Sequence, residues 1–215
     1  MKKINFKALI ITCIMCLVPI IFGLIFYDSL PENVAIHFDV NNNPDNYCPK
    51  EFFVFGVPVV MMLFQIFCCV ITDLKDQHPE ANKKYVTVMK LIIPVINVLM
   101  YVVTLMHAMT IGIDIRVVVM IILGVMFVIM GNYIPKIVGT QNINFHFNMF
   151  EIKDEKLNNK IKRATGYVLI VDGFLFILST LFKPIISVVI VGIIILQASV
   201  LSMYTIIKSK KEKTK

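Results

Sequence analysis

Charge is what this sequence has least of. Only 16% of its 215 residues are charged, against roughly a quarter in a soluble domain. So few charges cannot cover a water-exposed surface, although they suffice to cap helices whose sides face lipid. Alternation of apolar and polar residues is also missing from the apolar runs: 117–125 and 188–196 are continuous, which excludes the strands of a membrane barrel. No GxSxG, HExxH or phosphate-cradling loop occurs, and no two acids share a span at a useful spacing. No catalytic residue is therefore assigned, and the chain is not read as an enzyme. The five cysteines build no framework. Cys13 and Cys16 share one apolar run, Cys68 and Cys69 another, and Cys48 stands alone in the loop between them. With no second ligand pair, Cys13-x-x-Cys16 reads as packing, and neither a metal nor another cofactor is expected.

What the chain does have is apolar length. Hydrophobic residues make up 58% of it, gathered into runs at 8–27, 52–72, 86–109, 117–135, 164–182 and 185–207. Each is near the roughly 20 residues a helix needs to cross a bilayer, and lipid offers unpaired backbone groups no partner, so each run is predicted to be a helix. The expected fold is an all-α polytopic membrane protein: a bundle of about six transmembrane helices with a small extracellular loop subdomain. The first run follows the basic 1–7 segment, yet it is longer than a signal-peptide core. Tyr27-Asp28-Ser29 offers no small-residue cleavage pattern, so the run is read as a retained anchor.

Orientation follows from the lysines and arginines. With the N-terminus inside, 17 of the 21 basic residues fall on cytoplasmic segments and three (Lys50, Arg116, Lys183) fall outside. Lys90 lies one turn inside the third span and is expected to snorkel to the cytoplasmic face. This is a strong positive-inside bias. It places both termini in the cytoplasm, and it assigns the net charge of +7 to topology and anionic lipid rather than to nucleic acid.

Two loops are long enough to carry function. In the outer one, 28–50, Val34, Ile36, Phe38 and Val40 alternate with Ala35, His37 and Asp39, a short strand of period two that puts His37 and Asp39 on one face. The segment 41–45 reads as a turn that could bring Asp45 back toward them. Three readings stay open for His37, Asp39 and Asp45: a staple for the loop, a partner-binding surface beside Phe38 and Tyr47, or part of a metal site that lacks enough ligands on its own.

The series Leu30-Pro31, Val34, His37-Phe38, an Asn-rich turn, Pro44-Asp45 and Lys50 resembles the N-terminal domain of SdpI-type membrane proteins. That pattern is Leu-Pro-x-x-Ile-Pro-x-His-Phe, a Gly-containing turn, Asp, and a Lys before the second span. Ala35 replaces the usual Pro, and Asn42 stands near the usual Gly, a mild change because Asn tolerates positive φ. The fourth span ends Gly131-Asn132-Tyr133-Ile134-Pro135-Lys136, which is similar to the opening of the C-terminal SdpI module. The family's Arg, Pro and Trp of the following stretch are absent at 144–151, and the sequence has no tryptophan at all. The acidic step Asp154-Glu155 and the basic lead into the fifth span (Lys160, Lys162, Arg163) are kept. In the inner loop itself, Phe145, Phe147 and Met149 alternate with polar residues and could press on the headgroups, and the 208–215 tail is expected to be disordered.

The resemblance implies three segments: 1–85, with two spans and the outer loop; 86–207, a four-span module; and the basic tail 208–215. It implies a bacterial plasma-membrane protein that gives immunity to a secreted peptide toxin. The outer-loop candidates are Pro31, His37, Phe38, Asp39, Asp45 and Lys50. It further implies a cytoplasmic repressor captured at the inner surface, with Gly131, Asn132, Tyr133, Lys136, Lys160, Lys162 and Arg163 as the module's motif.

Asp172 is independent of that resemblance. It lies eight residues into the fifth span, about 12 Å deep. An ionised Asp there costs about 2.5–3.5 kcal/mol, while the eleven Val, Leu, Ile and Phe of the same run each return about 0.3–0.6 kcal/mol, so the span still inserts. Asp172 is expected to face other helices and to be protonated or paired, with Asn97, Lys90, Gln65 and Gln197 as candidate partners. An interhelical hydrogen bond is one reading. A small transporter or channel using Asp172 is the alternative function.

Overall fold

The computed structural model describes residues 4–76, 78, 80–139 and 154–213, the side chains of 209–213 excepted. Among these, seven α-helices and one two-stranded sheet occur: α1 (Phe6–Leu17), α2 (Pro19–Ile25), β1 (Asn33–Phe38), β2 (Pro44–Pro49), α3 (Val57–Lys75), α4 (Lys83–Ala108), α5 (Ile115–Tyr133), α6 (Glu155–Ser179) and α7 (Pro184–Lys213). Five stretches are long and apolar enough to cross a membrane: Phe6–Ile25, Phe52–Lys75, Lys83–Ala108, Ile115–Lys136 and Pro184–Lys208. At most 22% of the apolar window of each is buried within the protein. Sides this apolar and this bare require lipid, and the chain is an all-α polytopic membrane protein.

One expectation is corrected, and one predicted span differs in its bounds. The fifth predicted span, 164–182, overlaps α6, which is not one of the five. Its helical turns stop at Ser179, and its first half carries Lys156, Lys160, Lys162 and Arg163, so the uncharged part is short and Asp172 interrupts it. The tail expected to be disordered instead continues α7 to Lys213. A helix already nucleated in the membrane gains one hydrogen bond for each residue added, and lysine is a good helix former.

Proline sets the breaks. Pro19 supplies no N–H and starts α2, while the N–H of Val18 still bonds Ile14 O at 3.1 Å, so the first span is broken at that point. A single π-helical segment, Phe52–Gly56, leads into α3. At the other ends, side chains satisfy the first-turn donors. Asn5 accepts from the N–H of Ala8, and Asp154 accepts from the N–H groups of Lys156 and Leu157.

The residues form two compact units. The first holds α1, α2, the hairpin, α3 to Leu74, α4 from Val86 and the start of α5, up to Ile122. Its core gathers Leu30, Val34, Cys48, Phe53, Val54, Tyr101 and Leu105, with Phe53 and Tyr101 stacked at 4.4 Å between ring centroids. The second unit holds Lys75–Tyr85 and everything from Leu123 onward. There α5 and α6 run antiparallel, with glycine facing glycine at 124/173 and at 131/166.

Candidate functional site

The hairpin of β1 and β2 pairs Val34 with Cys48, Ala35 with Tyr47, His37 with Asn46 and Phe38 with Pro44. Register shifts on either side of His37 break the expected alternation. Val34 and Ala35 are both buried, and Ile36 turns outward. Strand β1 stops at Phe38, so Asp39 belongs to the turn rather than to the face that carries His37. The N–H of Asn43 donates to Asp39 Oδ1 at 2.8 Å, the Asn43 side-chain amide donates to Oδ2 at 3.1 Å, and the N–H of Asn41 donates to Oδ1 at 2.9 Å. Led by the Asn43 backbone bond, these donors hold the Asp39 carboxyl below the usual carboxylate range. Asp39 is the turn's cap.

Asn42 has a φ of 68°, a conformation that Asn tolerates. Its amide also spans to the next loop. Asn42 Nδ2 donates to Ile113 O at 3.1 Å, and its Oδ1 accepts from the N–H of Ile115 at 2.7 Å. The hairpin tip is thereby fastened to the start of α5.

The turn does bring Asp45 to His37, with 2.5 Å between Nδ1 and Oδ1. The two side chains are 68% and 47% exposed, so the pair is worth at most about 1 kcal/mol. The buried Val34 and Cys48, not this pair, hold the hairpin down. The polar pair is presented to solvent beside exposed Ile36 and Tyr47. Phe38 meets His107 edge-on at 4.7 Å, and the Lys50 ammonium lies 4.9 Å from the centre of the Tyr27 ring. Pro31 is exposed next to buried Leu30. Burial pushes the Cys48 thiol up from its ordinary pKa.

Lys90 does not snorkel. Its ammonium meets Asp73 Oδ1 at 2.6 Å, with side chains 3% and 8% exposed. Asp73 Oδ2 accepts from the N–H of Asn5 at 2.9 Å. Gln65 Nε2 donates to Lys90 O at 2.8 Å and reaches Cys69 Sγ at 3.0 Å, and Asn97 Nδ2 donates to Cys16 O at 2.9 Å. Lys90, Asn97 and Gln65 are thus engaged within the first unit, and Gln197 is exposed on α7. The sequence alone does not signal this network, because the apolar run ends at 72, whereas α3 runs on to Lys75 and carries Asp73 within it.

In the second unit Asp172 is 2% exposed, and its Oδ1 has no hydrogen-bond partner among the described residues. Gly131 lies against Gly166, while Lys136 Nζ donates to Asn132 Oδ1 at 3.1 Å and stands 5.4 Å from the Tyr133 ring centre. Lys160 and Arg163 are exposed. Lys162 is not part of that basic surface. It is 3% exposed and donates to Ile137 O at 2.8 Å and to Gly139 O, and Asn158 also donates to Gly139 O. Asn82 takes both backbone groups of Val138, accepting from its N–H at 2.8 Å and donating to its carbonyl at 3.2 Å. Three buried side chains therefore clamp 137–139, just before the inner loop. Burial lowers the Lys162 pKa, an effect Glu155 partly offsets. The expected inner-loop features at 144–151, including Phe145, Phe147 and Met149, and Lys153 lie outside the described residues.

No group of three or more His, Cys, Asp and Glu that could hold a metal is present among the described residues. A family model described as Domain of unknown function (DUF1648) matches residues 14–62, from within α1 through the hairpin into α3. No curated protein and no solved structure matches the chain.

Proposed function

We propose that this is a bacterial plasma-membrane protein of the SdpI type that protects its cell from a secreted peptide toxin by binding, without catalysis. The observation that carries the reading is the hairpin. It is anchored by Leu30, Val34 and Cys48, it presents His37, Asp45, Ile36 and Tyr47 to solvent, and it lies where the family-like residues and the matched segment coincide. In this reading the hairpin stands outside the cell and meets the toxin. The exposed Lys160 and Arg163 stand inside, where a soluble repressor would dock.

The orientation needs α6 to cross. α6 runs beside α5 from Gly166 opposite Gly131 to Gly173 opposite Gly124, and α5 is one of the five membrane-length helices. Backbones this close share the same depth, which supports six crossings and two cytoplasmic termini.

Expression in a toxin-sensitive bacterium tests the function through survival under a secreted peptide toxin of this class. Wild type is expected to protect, and His37→Ala with Tyr47→Ala to reduce protection while leaving the amount of membrane-inserted protein unchanged. Equal killing with and without the wild-type gene contradicts the proposal.

A further inference from the structure

The buried face of α6 carries four polar side chains, Asn158, Lys162, Asp172 and Ser179. Three are satisfied. Asn158 and Lys162 donate to backbone carbonyls at 137–139, and Ser179 donates to Phe176 O and lies 3.1 Å from the Ser187 hydroxyl. Asp172 stands apart from these, 2% exposed, with Oδ1 unbonded. The next residue, Gly173, lies against Gly124 and Val128 of α5, so Asp172 sits in the stretch where α5 and α6 pack backbone to backbone.

The described charged groups on the neighbouring elements are occupied elsewhere or lie at the ends. On α5, Arg116 lies in the first turn, 3.4 Å from Asp114, and just past the helix Lys136 donates to Asn132. On α7, Lys208 lies 5.6 Å from the centre of the Tyr204 ring, and Lys183 is exposed before the helix begins. On α6 itself Lys162 is held by carbonyls, and Lys160 and Arg163 are exposed. A carboxylate at Asp172 would therefore keep a full charge in an apolar setting with no countercharge bonded to it among the described residues of α5, α6 and α7. A metal cation needs several oxygens around it, and no cluster of three acidic, histidine or cysteine side chains exists among the described residues. A solitary carboxyl is matched by one ligand, the proton.

We propose that Asp172 is a proton-binding site inside the membrane: the carboxylate takes up one H⁺ from water to become the neutral acid and returns it to water on release. The buried face of α6 then exists in a neutral and an anionic form. This site is independent of toxin binding.

The full chain reconstituted in phosphatidylcholine vesicles provides the test, by infrared spectroscopy in H₂O and D₂O across a pH series. Wild type should show a protonated-carboxyl C=O band at neutral pH that is lost in Asp172→Asn, displaced in Asp172→Glu, shifted in D₂O, and diminished as the pH is made alkaline. No such difference band between wild type and Asp172→Asn at neutral pH would overturn the proposal. A band that responds neither to D₂O nor to pH would also overturn it, since that proton would be locked in a structural bond. If Asp172→Asn does not elute as a folded species, the displacement of the band in Asp172→Glu decides.

Discussion

Gly124 of α5 and Gly173 of α6 meet backbone to backbone: a Cβ built on either would stand 2.6 Å from the carbonyl oxygen of the other. Gly131 and Gly166 repeat the relationship seven residues away, at 2.5 and 2.7 Å. Backbone cannot yield as a flexible side chain can. Gly124→Leu and Gly166→Leu are each expected to destabilise the protein by about 1–3 kcal/mol, read from denaturation in mixed micelles. Gly192→Ala, with nothing within 4 Å of the added carbon, should stay close to wild type.

The Asp73–Lys90 pair supplies a second prediction. Breaking a buried ion pair by removing one partner leaves the other charged and unopposed, at a cost of about 3–5 kcal/mol. Lys90→Met alone should therefore destabilise strongly. Lys90→Met combined with Asp73→Leu should recover most of the loss in the same denaturation assay, because neither charge remains. Additive losses in the double variant would mean that the pair is not a unit.

The hairpin turn should respond to acid through Asp39. Its folded carboxyl lies below the ordinary value, so the stabilisation it gives the turn is present above the unfolded carboxylate pKa. It is lost as the pH falls through the lower folded one. Amide hydrogen exchange at Asn41 and Asn43, corrected for the intrinsic rate, should accelerate in that acid range. Asp39→Asn should remove the dependence.

Asn42 does two jobs that substitution can separate. Asn42→Gly accepts the positive φ but loses both bonds to Ile113 and Ile115, about 0.5–1.5 kcal/mol each. The Ile115 amide should exchange faster while the β1–β2 register is unchanged. Loss of the hairpin's own protection as well would show that the fastening, rather than the turn, holds the strands.

The helices and the hairpin were legible in the sequence because lipid imposes a length on apolar runs, and because turn residues such as Asn42 have few uses. The meeting of His37 and Asp45 followed from the turn. The polar network was not legible. Lys90 inside a span signals a partner, but the partner depends on how far α3 continues, and helix ends are where sequence is weakest. Alternation in β1 also misled, since a bulge at His37 leaves no mark in the pattern and turns Ile36 outward. Lys162 reads as one more basic residue until the carbonyls of 137–139 are placed around it. The glycine pairs were visible all along as a seven-residue spacing repeated in α5 and α6, and only their antiparallel meeting gives the spacing a meaning.

The central claim is that the hairpin faces the outside while the start of α6 faces the cytoplasm. Cys48 is buried and makes a poor reporter, so single cysteines at Tyr47 (53% exposed) and at Lys160, in a chain with its native cysteines replaced, are the positions to probe with a membrane-impermeant maleimide. Labelling of Tyr47→Cys in intact cells, with Lys160→Cys labelled only after the cells are opened, is the expected result. Labelling of both positions in intact cells, or of neither until they are opened, contradicts the account.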